Sequence, residues 1–150
     1  EGSVHLEQMP QTPASWRDPV IAAQWAAIFK VRRVVNGALE VERREKRIGS
    51  SLEASPAVHV TDRALLAAFE GESPADIFIT SGASLTDAPA PAGAFTLEDA
   101  PGVAVVPGRA SGIKCARSWK YFDAASADPA YPDITPRDAA AVIEWDALSG

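Results

Sequence analysis

The first third of the chain carries a helical stripe of apolar residues. Apolar side chains recur there at spacings of four, three, seven and four, which places them on one face of an α-helix. They are Ile21, Trp25, Ile28, Val35 and Leu39. Ser15 or Asp18 is suited to cap the start, because Pro19 follows at the first helical position. The pattern predicts a helix that reaches to about Lys46.

Shorter apolar runs after this helix predict a small α/β unit. Ala57–Val60 is typical of a strand, and Thr61 is suited to cap a second helix over residues 62–70. Ile77–Thr80 has the continuous apolar character of a strand that is buried on both faces. We therefore expect a strand, a helix and a strand packed on the long helix.

A segment rich in Ala, Pro and Gly divides off the last part of the chain. Residues 86–102 have the composition of a flexible or extended connection. Beyond it, Val103–Val106 is typical of a strand, and Thr135–Asp138 opens a helix that runs to about Leu148. The predicted fold class is α+β.

Composition narrows the class of protein. With 47% hydrophobic and 23% charged residues in 150, the chain has the balance of a folded globular protein. The longest apolar stretch, Val20–Phe29, is about half of what a bilayer span needs, so we expect no membrane partner. A single cysteine, Cys115, excludes an internal disulfide and suits a cytoplasmic location. Because the sequence starts at Glu1, we expect a piece cut from a longer protein.

The charge is unevenly distributed. The formal net charge is −6, which argues against a nucleic-acid partner, but two basic regions stand out. Residues 30–47 hold seven basic residues against three acidic ones, and residues 107–121 hold four basic residues and no acid. On charge alone, a solvated helix face is the commoner explanation for such runs.

Residues 31–54 resemble the bacterial isoleucyl-tRNA synthetases. They contain a Val-Arg step at Val31, an Ala-Leu-Glu step at Ala38, and the sequence Ile-Gly-Ser-Ser-Leu-Glu-Ala from Ile48 to Ala54. In that family this pattern belongs to the end of the anticodon-binding region, and the segment Val4–Leu6 resembles what precedes it. The resemblance covers about 50 residues in the family's order.

A second stretch, 112–121, resembles the first half of that family's C-terminal zinc knuckle, Lys-Cys-x-Arg-Cys-Trp. Tyr131 and Pro132 match the step before the second cysteine pair. The four ligand positions are filled by Cys115, Ser118, Thr135 and Asp138. Thiolates supply most of the roughly 10–16 kcal/mol with which structural zinc binds, so the loss of three cysteines predicts that zinc is lost too. Residues 135–138 instead predict a helix cap worth about 1 kcal/mol.

The resemblance implies a division of the chain. It implies the end of a helical anticodon-binding domain (1–54), a small α/β unit (55–87), a linker (88–102) and a zinc-ribbon-like module with degenerate ligands (103–150). The family's His-Ile-Gly-His-type and Lys-Met-Ser-Lys-Ser-type loops are absent, since the two histidines, His5 and His59, lie far apart. Catalysis and ATP binding would therefore belong to an absent domain, and we predict no cofactor here.

The implied function is binding of the anticodon stem and loop of isoleucine tRNA for the full ligase. The implied partners are that tRNA and the remaining domains of the parent synthetase, not DNA. The predicted RNA-binding residues are Lys30, Arg32, Arg33, Arg43, Arg44, Lys46, Arg47, Lys114, Arg117, Trp119 and Lys120.

Two alternatives stay open. The chain is a structural relic that stabilises the parent enzyme without touching RNA, or it is a piece of a formamidopyrimidine-type DNA glycosylase, whose N-terminal Pro-Glu start it lacks. For single residues, Trp16 and Trp25 are predicted to be core, His59 to pack, and Cys115 to be a buried relic and not a nucleophile. Trp119 is either core or an exposed aromatic that stacks on RNA bases.

Overall fold

The computed structural model of the protein describes residues 2–3 and 6–149. Val4 and His5, which entered the sequence comparison, lie outside them. The helices are α1 (Pro19–Arg44), α2 (Arg63–Ala67), α3 (Pro74–Phe78) and α4 (Pro136–Ser149). The strands are β1 (Ala57–Val60), β2 (Ser84–Thr86), β3 (Phe95–Thr96), β4 (Val103–Val106), β5 (Ile113–Lys114) and β6 (Tyr121–Phe122). The predicted α+β class is confirmed.

Helix α1 forms where the apolar stripe predicts it. The Asp18 carboxylate accepts hydrogen bonds from the backbone N–H groups of Val20 (2.8 Å) and Ile21 (3.1 Å), so Asp18 is the cap instead of Ser15. Six residues of the helix are buried: Ile28, Val31, Val34, Val35, Ala38 and Leu39. The helix ends two residues before the predicted Lys46, which has a positive φ of 60° and turns the chain away.

A four-stranded sheet packs against α1. Its strand order is β2-β1-β4-β3, with β1 and β2 parallel and the other pairs antiparallel. In the β1–β4 ladder, Val58 pairs with Val105 and Val60 with Val103, and all four side chains are buried. Alternate residues of both strands therefore face α1, as a sheet covered on one side requires. This forms the main hydrophobic core.

The strand predicted at Ile77–Thr80 is wrong, because these residues finish a short helix. The Ser73 hydroxyl accepts the N–H of Asp76 (3.4 Å), and Pro74 takes the first helical position of α3. Ile79 then adopts a left-handed conformation (φ 57°) that ends the helix and leaves its side chain 51% exposed. The capping residues outweigh the β-propensity of the apolar run.

The second helix is shorter than predicted and has a different cap. It ends at Ala67, and the side chain of Asp62, not that of Thr61, accepts N–H groups at its start. The hydroxyl of Thr61 instead donates to the backbone carbonyl of Gly102 (3.3 Å).

The segment predicted as a linker is part of the sheet. Residues 95–96 form β3, and β4, predicted to lie in the last module, pairs with both β3 and β1. A Cβ atom at Gly37 would lie 2.9 Å from the ring of Phe95, so the helical glycine lets Phe95 pack closely on α1. Residues 95–96 of the predicted 88–102 linker therefore form the edge strand of the sheet, and residues 103–106 belong with the α/β unit by hydrogen bonding.

The remainder, residues 107–149, forms a second and smaller cluster, which we call the knuckle. The β5–β6 hairpin and α4 bury Cys115, Ile134 and Ala139, with Phe122 and Tyr131 packed around them. The knuckle is tied to the α/β unit by the Ser81 hydroxyl, which accepts the Tyr121 N–H (2.7 Å).

The two tryptophans near the chain start differ in burial. Trp25 packs partly buried against the main core, as predicted, whereas Trp16 is 75% exposed, so its assignment to the core is wrong. None of the described helices combines the length and the apolar character that crossing a lipid bilayer requires.

Candidate nucleic-acid interface

The turn after β5 presents Trp119 to solvent. The N–H of Cys115 donates to the Lys120 carbonyl (2.8 Å), and the N–H of Trp119 donates to the Cys115 carbonyl (3.1 Å). Closing this turn requires a left-handed backbone at Trp119, with φ of 63°. The indole is 62% exposed. Its interpretation as a core residue is therefore wrong.

The ammonium group of one basic side chain lies over the indole. The Lys114 ammonium nitrogen lies 5.4 Å from the centre of the Trp119 ring, within range of a cation–π interaction. Arg117, two residues before Trp119 in the same turn, is also exposed. The arrangement offers an aromatic face and mobile positive charge at one protruding turn.

The four positions predicted from the resemblance as ligand positions converge below this turn. Oxygen Oδ2 of Asp138 accepts hydrogen bonds from the Thr135 hydroxyl (2.6 Å), the Ser118 hydroxyl (2.7 Å) and the Cys115 thiol (3.2 Å). The Ser118 N–H also donates to the Cys115 sulfur (3.3 Å). The predicted frame of positions 115, 118, 135 and 138 therefore occurs as one cluster.

The predicted helix cap is part of the same cluster. The N–H of Asp138 donates to the Thr135 hydroxyl oxygen (3.1 Å), and Pro136 opens α4. This is a capping-box-like arrangement in which Thr135 both caps the helix and donates to the carboxylate. The prediction of a cap at residues 135–138 is confirmed.

The electrostatics of the cluster favour an ionised carboxylate. Burial raises the pKa of Asp138, but hydrogen bonds from Thr135, Ser118 and Cys115, with the Arg117 guanidinium 3.8 Å away, lower it below its ordinary value. Burial likewise raises the pKa of the Cys115 thiol, and hydrogen bonds from the side chain and backbone of Ser118 outweigh it. The thiol nonetheless donates to the stronger acid, Asp138.

The donor set does not fit zinc. A structural zinc site needs four ligands with free electron pairs, mostly thiolates, whereas here two of the four groups are hydroxyls whose protons are committed to Asp138. Within the described residues, no group of three or more His, Cys, Asp or Glu side chains is arranged to hold a metal ion.

The basic residues predicted to bind RNA on α1 and in the turn after it fall into two groups, those with an acidic partner and those without. Arg33 pairs with Asp99 (2.8 Å), Arg43 with Glu40, and Arg47 with both Glu42 and Glu45. In all four ion pairs the arginine is exposed, and Glu42, at 14% exposure, is the most buried acidic partner. The Arg47 hydrogen bond lowers the pKa of Glu42.

The other predicted bases of α1 and the turn after it have no acidic partner among the described residues. They are Lys30, Arg32, Arg44 and Lys46. The Nε atom of Arg32 is buried and lacks a hydrogen-bond acceptor, so this side chain is partly packed against the fold. Lys30, Arg44 and Lys46 are the members of the predicted set on this side whose charge is not neutralised by a neighbouring acid.

Lys120, predicted to contact RNA, faces the fold. It forms an ion pair with Asp76 of α3 and lines a cleft of about 580 Å³ between the knuckle and α3. Arg137, at the start of α4, lines the same cleft and was missed by the sequence analysis, although it lies between two of the ligand positions. Charge counts over separate segments do not reveal such a junction.

The sequence matches relatives over nearly its whole length. No family model matches it. The isoleucine–tRNA ligase of Brucella abortus is 58% identical over 97% of this chain, that of Agrobacterium fabrum 52% over 97%, and that of Caulobacter vibrioides 51% over 99%. The chain spans about 15% of the length of these curated relatives. Over nearly its whole length, the chain is therefore similar to one segment of the bacterial isoleucine–tRNA ligases.

Proposed function

We propose that this segment helps an isoleucine–tRNA ligase to hold the anticodon stem and loop of its tRNA. The observation that carries the proposal is the exposed Trp119 with the Lys114 ammonium over its ring. Single-stranded RNA loops are bound in this way, with bases stacked on aromatic side chains and phosphates held by nearby cations. The other domains of the ligase are the second partner in this proposal.

In this proposal Trp119 stacks on an RNA base and Lys114 binds a phosphate. An exposed indole face accepts any unpaired base, and each stacked base contributes roughly 1–3 kcal/mol. Lys114 lies on a flexible stem, so it leaves the ring for a phosphate when a base takes its place. Arg117 adds a second cation, since its 3.8 Å separation from Asp138 is long for an ion pair.

Along α1 and the following turn, the unpaired Lys30, Arg44 and Lys46 are the stronger candidates for phosphate contacts. Arg33, Arg43 and Arg47 already pair with acids, and a phosphate would have to compete with those carboxylates. Because phosphate contacts release counterions, tRNA affinity is expected to fall steeply as salt increases. ATP and the catalytic residues are assigned to the rest of the ligase, and the cytoplasmic location stays a prediction.

The test is steady-state aminoacylation by a full-length ligase that carries this sequence. Trp119→Ala is expected to raise KM for tRNA by about 5- to 150-fold, the equivalent of one lost stacking contact. Isoleucine activation, measured without tRNA as ATP–pyrophosphate exchange, is expected to stay unchanged. Trp16→Ala is the matched control, because Trp16 is also exposed (75%, against 62% for Trp119) and lies outside the knuckle.

The structural-relic alternative gives the opposite result. If the segment only stabilises the ligase, Trp119→Ala and Lys114→Ala leave KM for tRNA unchanged, and any loss appears in thermal stability. A tRNA titration that shows no salt dependence would also contradict the proposed phosphate contacts.

A further inference from the structure

We infer that the carboxylate of Asp138 takes the place of the family's zinc ion as the centre that holds the knuckle together. The two halves of the knuckle come from distant parts of the chain, the β5–β6 turn and the start of α4. In the resembled family a metal joins them. Here the Asp138 side chain of α4 joins them, beside one backbone hydrogen bond from the Ala116 N–H to the Asp133 carbonyl (2.9 Å).

The geometry supports a central role for one oxygen atom. Donors at all three other ligand positions point at Oδ2 of Asp138, at 2.6 Å from Thr135, 2.7 Å from Ser118 and 3.2 Å from Cys115. Two of these donors, Ser118 and Cys115, come from the β5–β6 turn, 20 and 23 residues away in sequence. The carboxylate therefore cross-links the same two segments that a bound metal would.

The polarity of the site is reversed compared with a zinc knuckle. In a zinc site, anionic sulfur ligands surround a central cation. In this site, neutral O–H and S–H donors surround a central anion. This reversal explains the residue types, because a serine and a threonine each supply the proton that a thiolate lacks, while the single remaining cysteine serves as a third donor.

Burial makes the cross-link effective. The Cys115 side chain is fully buried, and the Asp138 side chain is 18% exposed. Hydrogen bonds to an ionised acceptor are about twice as strong as neutral ones, and water competes poorly for a partly buried carboxylate. A zinc ion added to this site would have to displace three donors and would gain one thiolate and one carboxylate.

Alkylation of Cys115 measures the closure of the knuckle directly, because this is the single cysteine of the chain. In EDTA, iodoacetamide is expected to react with Cys115 at least about 100-fold more slowly than in the chemically unfolded chain, since attack requires local opening. Adding zinc chloride is expected to leave that rate unchanged. Protection that appears only with zinc, or one tightly bound zinc per chain, would overturn the inference.

Variants of Asp138 test the central acceptor. Asp138→Ala removes the acceptor of three donors and is expected to raise the alkylation rate by about tenfold or more, and Asp138→Asn, which keeps one oxygen acceptor, by less. Asp146→Ala, an exposed acid two turns later on α4, is the matched control and should react like the wild type. Equal rates for wild type, Asp138→Asn and Asp138→Ala would contradict the role of Asp138.

If the Asp138→Ala variant does not fold, a variant with a rebuilt metal site still tests the inference. Ser118→Cys, Thr135→Cys and Asp138→Cys together restore four thiols at the ligand positions. This triple variant is expected to bind one zinc per chain, with cysteine protection that EDTA removes, whereas the wild type shows neither property. EDTA-sensitive protection in both proteins would overturn the inference.

Discussion

The α/β unit and the knuckle are held together by different forces. In the α/β unit together with α1, sixteen described residues from the helices, the sheet and the loops between them form one buried apolar cluster. In the knuckle, three residues are buried, and the contacts between its halves centre on the carboxylate of Asp138. One region relies on apolar burial, and the other relies on a few oriented hydrogen bonds.

Size explains the difference. A segment of about 40 residues buries too little apolar surface to fold on that alone, which is why small modules usually carry a metal or disulfide. The knuckle has neither a disulfide nor a donor set that fits zinc. Its polar cluster and its attachment to the α/β unit are therefore expected to be the contributions that keep it folded.

Breaking the apolar core is expected to have the largest effect. Phe78 is 1% exposed and packs against Phe69 with ring centres 5.8 Å apart. Phe78→Ala should lower the free energy of unfolding by about 3–5 kcal/mol, because it leaves a cavity that neighbouring atoms fill poorly. Denaturant titration followed by circular dichroism measures this. Leu148→Ala, at an exposed apolar side chain in the last turn of α4, is the control and should change the free energy of unfolding by no more than about 0.5 kcal/mol.

Breaking the knuckle hairpin is expected to cost less and to act locally. Gly112 has φ of 97°, and a Cβ atom there would lie 2.1 Å from the Phe122 carbonyl oxygen. Gly112→Ala should therefore lower the free energy of unfolding by about 1–3 kcal/mol or more. It should expose Cys115 to alkylation while the four-stranded sheet stays intact.

Gly71→Ala separates the cost of the left-handed backbone from the cost of the steric clash. Gly71 also has positive φ, at 80°, but a Cβ atom there would meet no atom within 4 Å. Gly71→Ala should lower the free energy of unfolding by only about 1 kcal/mol, because alanine is disfavoured in a left-handed conformation. Cys115 should stay protected from alkylation. Similar alkylation rates for the two variants would contradict the steric explanation.

The sequence predicted elements whose signals are local. The apolar stripe and Asp18-Pro19 cap predict α1, and Thr135–Asp138 predict the start of α4, since periodicity and capping depend on neighbouring residues. At Ile77–Thr80 the apolar run alone predicts a strand, whereas the Ser73 cap and Pro74, just before it, start a helix. The position of β3 was missed because it depends on contacts that distant residues make.

The sequence predicts where the candidate site lies, but not which of its side chains form hydrogen bonds or ion pairs with each other. The ligand frame at 115, 118, 135 and 138 followed from spacing and resemblance, yet its organisation around one oxygen of Asp138 required coordinates. Likewise, nothing in the local sequence shows that Lys120 faces Asp76 whereas Lys114 lies over Trp119. Distant partners decide which cations are free.

Low pH should destabilise the knuckle more than the α/β unit, by a smaller amount than the substitutions above. The folded-state pKa of Asp138 is lowered, so protonation favours opening of the knuckle. The stability from this group is complete above the ordinary carboxyl value of 3.8 and is lost as pH falls from there through the lowered pKa. The reaction of Cys115 with a disulfide reagent that attacks thiols at acid pH, normalised to the unfolded chain at each pH, should accelerate in this range. Asp138→Asn should remove that acceleration, and persistence of it would assign the transition to another acid.

The ion pair between Lys120 and Asp76 should have the smallest effect, although it joins the two regions. Asp76 is about half exposed, and Lys120 lowers the pKa of Asp76, so the pair is real but screened by solvent. Asp76→Asn should therefore lower stability by about 1 kcal/mol or less. High salt should reduce the difference between wild type and variant. Glu72→Gln, at an exposed acid with no ion-pair partner among the described residues, is the control and should leave stability unchanged. A loss of several kcal/mol would instead mean that the knuckle depends on docking to α3 more than on the Asp138 cluster.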